Sequence, residues 1–368
     1  MKYYIIAGEA SGDLHGAALV KGLRQVDAAA NIRCWGGDKM EAAGAVLVRH
    51  YQKMAFMGFL EVVKNIGPIR RNFIDAKADI LQFQPDVLIL IDYPGFNLRM
   101  AKWAKKQQLK VFYYISPQIW AWNTGRVRIV KQFIDRMFVI LPFEKAFYAK
   151  HQVEVDFLGH PLMDVIPRFE GQKDFCKHHH LDERPLVALL PGSRQQEIRL
   201  MLPTMLQLID RYPDFQFAIA AAPSIPLSFY KSLCKGQTVP LIQGNTYDLL
   251  QQADSALVTS GTATLEAALF GTPQIVCYKG NPISYLLARQ LIKVDYISLV
   301  NLILNRPLVT ELIQNDFHLP RLTAEFDRLQ SPNFRQTLAS GYAELRNGLG
   351  EAGAGKRAAE QMFLLLSQ

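Results

Sequence analysis

Lys2-Tyr3-Tyr4-Ile5-Ile6-Ala7-Gly8-Glu9-Ala10-Ser11-Gly12-Asp13 opens the chain, and Leu186-Val187-Ala188-Leu189-Leu190-Pro191-Gly192-Ser193-Arg194 repeats its grammar half a chain later. In each, an apolar run of strand length meets a glycine-bearing turn and then a helical pattern. A strand that is apolar at successive positions is buried on both faces, as in parallel sheets covered by helices. Similar runs follow at Ile32–Trp35, Val87–Ile91, Lys110–Ile115 and Met137–Ile140, then at Phe217–Ala221, Ser255–Val258 and Gln274–Cys277. The fold class is therefore α/β, with two Rossmann-like doubly wound parallel-sheet domains. The length of 368 residues fits two domains. The rhythm pauses from Gly159-His160-Pro161 to His178-His179-His180, which places the domains at 1–163 and 164–339. The tail from about Asn333 reads as helix, weakened between Asn347-Gly348 and Gly353-Ala354-Gly355. In such folds ligands bind at the carboxyl ends of the strands, which puts the expected site in the interdomain cleft.

Composition narrows the functions. With 49% hydrophobic and 20% charged residues the chain is neither disordered nor coiled coil. Cys34, Cys176, Cys234 and Cys277 lie far apart and form no CxxC pair, which argues against a disulfide framework or a thiolate metal site. No apolar run reaches the ~18 residues of a membrane span, so a soluble, cytoplasmic protein is expected. The formal charge of +8 is concentrated. Residues 1–160 carry 22 Lys and Arg against 14 Asp and Glu, whereas residues 161–368 carry 19 of each. The first half should thus prefer an anion: a phosphorylated substrate or an acidic membrane surface. Nucleic acid ranks last, because no nucleic-acid motif is visible.

Four turns offer chemistry. Gly8-Glu9-Ala10-Ser11-Gly12-Asp13 makes a tight polar turn before a helix N-terminus, at the functional edge of the sheet, or else merely a capped turn with Asp13 as N-cap; it is neither GxGxxG nor a P-loop. Asp92 stands at the end of the run Val87–Ile91, before Pro94-Gly95, where a carboxylate can act as a general base or merely form the turn. Gly192, Ser193 and Arg194 combine a turn, a hydroxyl and a guanidinium suited to a diphosphate. Ser260, Gly261 and Thr262 open a further helix, with Glu266 one turn on, placed to accept hydrogen bonds from a ribose diol; the helix closes at Gly271-Thr272-Pro273. Met54–Ile69 is apolar nearly all round, with Phe56, Met57 and Phe59 on it and Lys64, Arg70 and Arg71 nearby; such a helix is a core helix or touches lipid. His178–His180 reads as a solvated loop rather than a metal site, and His15 either faces the cleft or is an ordinary helix position.

Several segments together resemble the lipid-A-disaccharide synthase family. They are Gly8–Asp13, Met57–Val62, Asp92–Asn97, Ser116-Pro117-Gln118-Ile119-Trp120-Ala121-Trp122, Leu141–Tyr148, Leu158–Pro161, Leu189–Arg194, Ser260–Glu266 and Asp295–Leu302, in the family's order. The resemblance implies a GT-B glycosyltransferase, inverting and free of cofactor and metal. It would move 2,3-diacylglucosamine from UDP-2,3-diacylglucosamine to 2,3-diacylglucosamine 1-phosphate, forming a β-1′,6 linkage and releasing UDP. Such enzymes are peripheral on the cytoplasmic face of the Gram-negative inner membrane. By motif, Asp92 is the candidate base and Glu9 a cleft-facing acid. Gly192, Ser193, Arg194, Ser260, Gly261, Thr262, Glu266 and Asn301 fall at the UDP-sugar site. Ser11, Phe56, Met57, Phe59, Arg70 and Arg71 are expected at the acceptor, its acyl chains or the anionic membrane. Gly95 stands where some members carry a second Asp, and Val300 where a proline often precedes the asparagine. The tail, 340–368, is left to pack on the first domain or on a partner subunit of a homodimer. Rival readings are another GT-B UDP-sugar enzyme of the UDP-GlcNAc 2-epimerase kind, and a non-catalytic membrane-associated nucleotide-sugar binder.

Overall fold

The computed structural model describes residues 1–54, 66–122, 124–281, 285 and 294–368. They form two compact units: Met1–Asp164 with Leu349–Gln368, and Val165–Gly348.

The first unit holds a seven-stranded parallel sheet: β1 (Lys2–Ala7), β2 (Asn31–Gly36), β3 (Val46–His50), β4 (Val87–Ile91), β5 (Lys110–Tyr114), β6 (Arg136–Val139) and β7 (Val155–Phe157), in the order β3-β2-β1-β4-β5-β6-β7. The second unit holds a six-stranded parallel sheet: β8 (Leu186–Leu190), β9 (Gln216–Ala221), β10 (Leu241–Gln243), β11 (Ser255–Thr259), β12 (Gln274–Tyr278) and β13 (Thr310–Ile313), in the order β10-β9-β8-β11-β12-β13. Every apolar run expected to be a strand is one. The sequence reading passes over β3, β7, β10 and β13, which are the four edges of the two sheets. An edge strand is covered less completely, so its sequence is mixed: β4, β8 and β11 are buried throughout, whereas β3 has no fully buried residue.

In both sheets the chain builds outward on one side of its first strand and then returns to the other side. The order therefore reverses between β1 and β4, and between β8 and β11. At such a reversal the two outgoing loops diverge, which leaves room at the carboxyl edge.

The glycines at the tail's weak spot separate two helices, Pro332–Gly348 and Ala354–Ser367. The second returns to the first unit and lies against the helix Ala10–Val26. Small residues set that approach: a Cβ on Gly22 would stand 2.8 Å from the Cβ of Ala359, and one on Gly355 would stand 2.9 Å from that of Ala18. Ala358, Ala359 and Met362 complete the core on this face of the sheet. The carboxylate of Asp164 accepts the N–H groups of Gly353, Ala354 and Gly355, satisfying the free donors of the last helix. Arg357 fixes the same corner by donating to the carbonyls of Leu158, Ala352 and Glu351 at 2.7–2.9 Å. No helix among the described residues is long and apolar enough to cross a membrane.

This packing has a direct test. Gly22→Val forces a branched side chain into the Ala359 contact and should cost about 1–3 kcal/mol, as overpacking does. A lower urea midpoint, with faster proteolysis between residues 348 and 354, is the expected result; wild-type values for both would mean the two helices do not pack this closely.

Candidate functional site

Glu9 and Asp92 leave β1 and β4, the two strands that flank the reversal in the first sheet. Both are half-buried. Glu9 is the N-cap residue of the helix Ala10–Val26, in extended backbone. Asp13, the N-cap in the alternative reading of this turn, sits inside the helix's first turn. Its buried carboxylate accepts the N–H groups of Gly37, Lys39 and Met40 at 2.8, 3.2 and 3.0 Å, so it caps the next helix, Asp38–Ala42. Ser11 is exposed in the first turn.

Asp92 and the following Tyr93 both adopt left-handed backbone, with φ of 44° and 48°. That conformation costs an ordinary residue about 1–2 kcal/mol and persists only where neighbours enforce it. Six contacts do so here. The Asn97 amide donates to the carbonyls of Ile91 and Asp92 at 3.1 and 2.8 Å. The Tyr113 hydroxyl donates to the same Asp92 carbonyl. The Asp92 N–H reaches the Tyr114 carbonyl at 3.2 Å. The Tyr93 ring lies flat against Gly8, where any Cβ would fall 2.3 Å from ring carbons, and its hydroxyl donates to the Met54 carbonyl. The glycine of the first turn is therefore required for close approach.

The carboxyl of Asp92 is pushed up to about 7, first by desolvation and second by the negative charge of Glu9; the Tyr93 N–H opposes both. A carboxylate poised there exchanges a proton near neutrality. On the same edge, buried Glu144 ties two further loops together. Its Oε2 accepts the N–H groups of Leu141 and Ile140 at 2.9 and 3.2 Å, and its Oε1 accepts the Trp120 indole N–H at 3.2 Å. Burial raises it to about 7 as well. His15 is buried and pushed down to about 4, so it stays neutral.

Phe56, Met57 and Phe59 lie outside the described residues. Arg70 and Arg71 are exposed at the start of the helix Ile66–Phe83, whose outer face also carries exposed Ile74 and Leu81.

The second unit places its polar turns the same way. Gly192, Ser193 and Arg194 leave β8, and Ser260 and Gly261 leave β11, across the second reversal. Gly261 has φ of 156°, where a side chain is strained, and a Cβ on it would meet none of the described residues within 4 Å. Thr262 begins that helix. Glu197 occupies the neighbouring donors: it accepts from the Ser193 N–H at 3.2 Å and from Arg194 at 2.9 Å. Glu266 accepts the Tyr247 hydroxyl at 3.0 Å, and desolvation raises its pKa. The Phe169 ring packs edge-on against Tyr247 and Phe270, which lie tilted against each other. Asn301 is buried, and its amide is used within the protein: it donates to the Val309 carbonyl and to Glu311, and accepts the Val309 N–H, all at 2.9 Å.

The sequence reading assigned nothing to Asn97, Tyr113, Glu144, Tyr247 or Glu311. Only Glu144 carries a local signal, three residues into Leu141-Pro142-Phe143-Glu144, the spacing of a capping box.

Known proteins match along the whole chain. A family model described as lipid-A-disaccharide synthetase matches residues 3–339. The lipid-A-disaccharide synthase of Geobacter sulfurreducens is 40% identical, covering 99% of this chain and 97% of that protein. Those of Syntrophus aciditrophicus and Coxiella burnetii are 41% and 36% identical, over 99% and 98% of this chain and 97% and 98% of theirs. Among solved structures, the UDP-GlcNAc 2-epimerase from Neisseria meningitidis bound to UDP-GlcNAc superposes with a TM-score of 0.70 at 14% identity, covering 99% of this chain and 100% of that one. The S. aureus MnaA–UDP structure gives 0.68 at 13%, covering 99% and 97%. These two show the fold alone.

Two outcomes follow from the Asp92 environment. Because its pKa is raised in the folded state, stability falls as pH rises from the unfolded carboxyl value through about 7. Asp92→Asn should unfold at a higher temperature than wild type at pH 8, and the gap should close near pH 4; an equal gap at both values would contradict the assignment. Glu9→Gln removes a like charge, so the Asp92 carboxyl should titrate at lower pH in a carbon-13 NMR titration. An unmoved titration would remove Glu9 from the account.

Proposed function

The chain belongs to the lipid-A-disaccharide synthetase family, and from that membership we propose how its residues carry out an inverting glycosyl transfer. The donor is UDP-2,3-diacylglucosamine, the acceptor 2,3-diacylglucosamine 1-phosphate, and the products a β-1′,6-linked disaccharide phosphate and UDP. The observation that carries the reading is a half-buried carboxylate, Asp92, held by left-handed backbone at a sheet reversal, where desolvation and Glu9 raise its pKa.

Asp92 in its ionised form takes the proton of the acceptor 6-hydroxyl. That oxygen forms a bond to the anomeric carbon of the donor, and the bond from this carbon to the β-phosphate oxygen breaks. The configuration changes from α to β in one in-line displacement. The departing UDP gains charge on its β-phosphate. Arg194, with the N–H groups of Gly261 and Thr262, is suited to hold that charge, since oriented donors at a helix start need no reorganisation. Glu197 orients the Arg194 guanidinium. Glu266, held by Tyr247, accepts the ribose hydroxyls. Glu9 works through Asp92, keeping its pKa high enough for it to act as a strong base.

The acyl chains need an apolar surface, and the segment with Phe56, Met57 and Phe59 is assigned to them. Arg70 and Arg71, beside Ile74 and Leu81, suit the headgroups of an anionic bilayer on the cytoplasmic face. The charge excess of residues 1–160 acts in the same direction.

Asp92→Asn should lower kcat by about 10²–10⁴ and leave the KM for donor near its normal value. Near-normal turnover at saturating donor would show that Asp92 is not the base. In sedimentation with vesicles containing phosphatidylglycerol, binding should weaken as salt rises, and Arg70→Glu with Arg71→Glu should weaken it further. Binding indifferent to both would rule out the membrane role.

A further inference from the structure

Glu311 lies on the edge strand β13, opposite Val276 of β12, and no turn or motif around it announces a function. Its carboxylate nonetheless gathers four donors from one short stretch of chain. Oε2 accepts the Ile297 N–H at 3.0 Å. Oε1 accepts the Ser298 N–H at 2.9 Å, the Ser298 hydroxyl at 2.7 Å and the Asn301 amide at 2.9 Å. Ser298 is wholly buried and Asn301 nearly so, so these groups have no water to turn to. A buried donor stripped of its acceptor is costly, and a charged acceptor binds each donor more strongly than a neutral one.

The stretch held in this way reaches the anion-binding turn. The Ser260 hydroxyl donates to the Ile297 carbonyl at 2.7 Å. The Ile297 N–H, on the preceding peptide, and the Ser298 N–H, on the carbonyl's own peptide, are both held by Glu311, which orients that carbonyl. Ser298 also accepts the Asn301 N–H at 3.2 Å, which starts the helix Leu299–Leu304. Asn301 in turn clamps Val309 at the start of β13 through two hydrogen bonds. The circuit therefore closes on itself: β13 to Glu311, to residues 297–301, back to Val309, with one outgoing link to Ser260.

We propose that Glu311 is a positioning residue for the nucleotide diphosphate turn, and that Asn301 acts as a member of this brace rather than as a ligand to the donor. With its hydroxyl proton committed to Ile297 and its N–H donating to the Cys277 carbonyl at 3.3 Å, Ser260 is anchored on both sides. The brace thereby fixes the direction of the Gly261 and Thr262 N–H groups that follow it, the donors a UDP diphosphate would use. This inference rests on the assignment of the Gly192–Arg194 and Ser260–Thr262 turns to the UDP moiety.

The test is UDP binding by calorimetry together with steady-state kinetics on the full-length enzyme. Glu311→Ala should weaken UDP about tenfold and raise the donor KM similarly, while the acceptor KM stays unmoved and kcat at saturating donor falls less than about threefold. Asn301→Ala should act in the same direction. Because Glu311 and Ser260 act through one link, Ser260→Ala combined with Glu311→Ala should bind UDP no more weakly than the weaker single variant. Glu311→Gln keeps one acceptor oxygen and should bind UDP with intermediate affinity; it also serves as the readout if the alanine variant does not fold. Unchanged UDP affinity in Glu311→Gln and Glu311→Ala, or losses that multiply in the double variant, would overturn the proposal. Arg194→Ala separates the two levels. If it weakens UDP binding while the Glu311 variants do not, the brace alone is wrong. If it also leaves binding unchanged, the donor-site assignment fails, and the brace with it.

Discussion

A parallel sheet keeps its backbone polar groups paired inside the ladder, so chemistry is confined to the loops at one edge, and the reversal of strand order decides which loops diverge. In this chain that constraint acts twice, between β1 and β4 and between β8 and β11. It selects Glu9 and Asp92 in one unit, and Gly192–Arg194 with Ser260–Gly261 in the other. These residues are the ends of buried strands, so their positions are fixed by the cores beneath them. The apolar character of β1, β4, β8 and β11 is thus the reason polar groups can be held at their tips.

The first unit makes a sacrifice of stability at its reversal. Asp92 and Tyr93 sit in backbone that neither prefers, and the Asp92 carboxyl lies where its charge is disfavoured. The backbone cost is offset by Asn97 and Tyr113 on the Asp92 carbonyl and by the Tyr93 ring on Gly8, and the Tyr93 N–H partly offsets the cost of the charge. Strain that neighbours over-determine is characteristic of functional sites. The second unit uses a different device. Its turns lie at helix starts, and its carboxylates serve as braces: Glu197 on Arg194, Glu311 on residues 297–301.

Much of this was legible in the residues. Continuous apolar runs revealed the nine interior strands, and glycine turns mark the carboxyl ends of β1, β8 and β11. The four edge strands were not legible, because β3, β7, β10 and β13 are short or half-covered and carry mixed residues. Asp13 read as a cap for its own helix and turned out to cap the following one, since the reach of a side chain across a loop leaves no spacing to detect. Asn301 read by resemblance as a donor-site residue, yet its amide is committed to Val309 and Glu311, ten residues away or fewer. Glu311 itself carries no local pattern, and only the folded register brings its carboxylate to Ser298. What sequence periodicity encodes is burial; what it does not encode is which buried polar groups find each other.

The central claim is a transfer between two lipid-bearing sugars, driven by one near-neutral aspartate and a nucleotide leaving group. Its most direct test is incubation of the purified protein with UDP-2,3-diacylglucosamine and 2,3-diacylglucosamine 1-phosphate, followed by mass spectrometry of the lipid phase and quantification of UDP. The account predicts a tetra-acyl disaccharide monophosphate with one UDP released for each, and no UDP release when the acceptor is omitted. UDP released at the same rate without acceptor, or a donor converted to an epimer with no disaccharide formed, would contradict it.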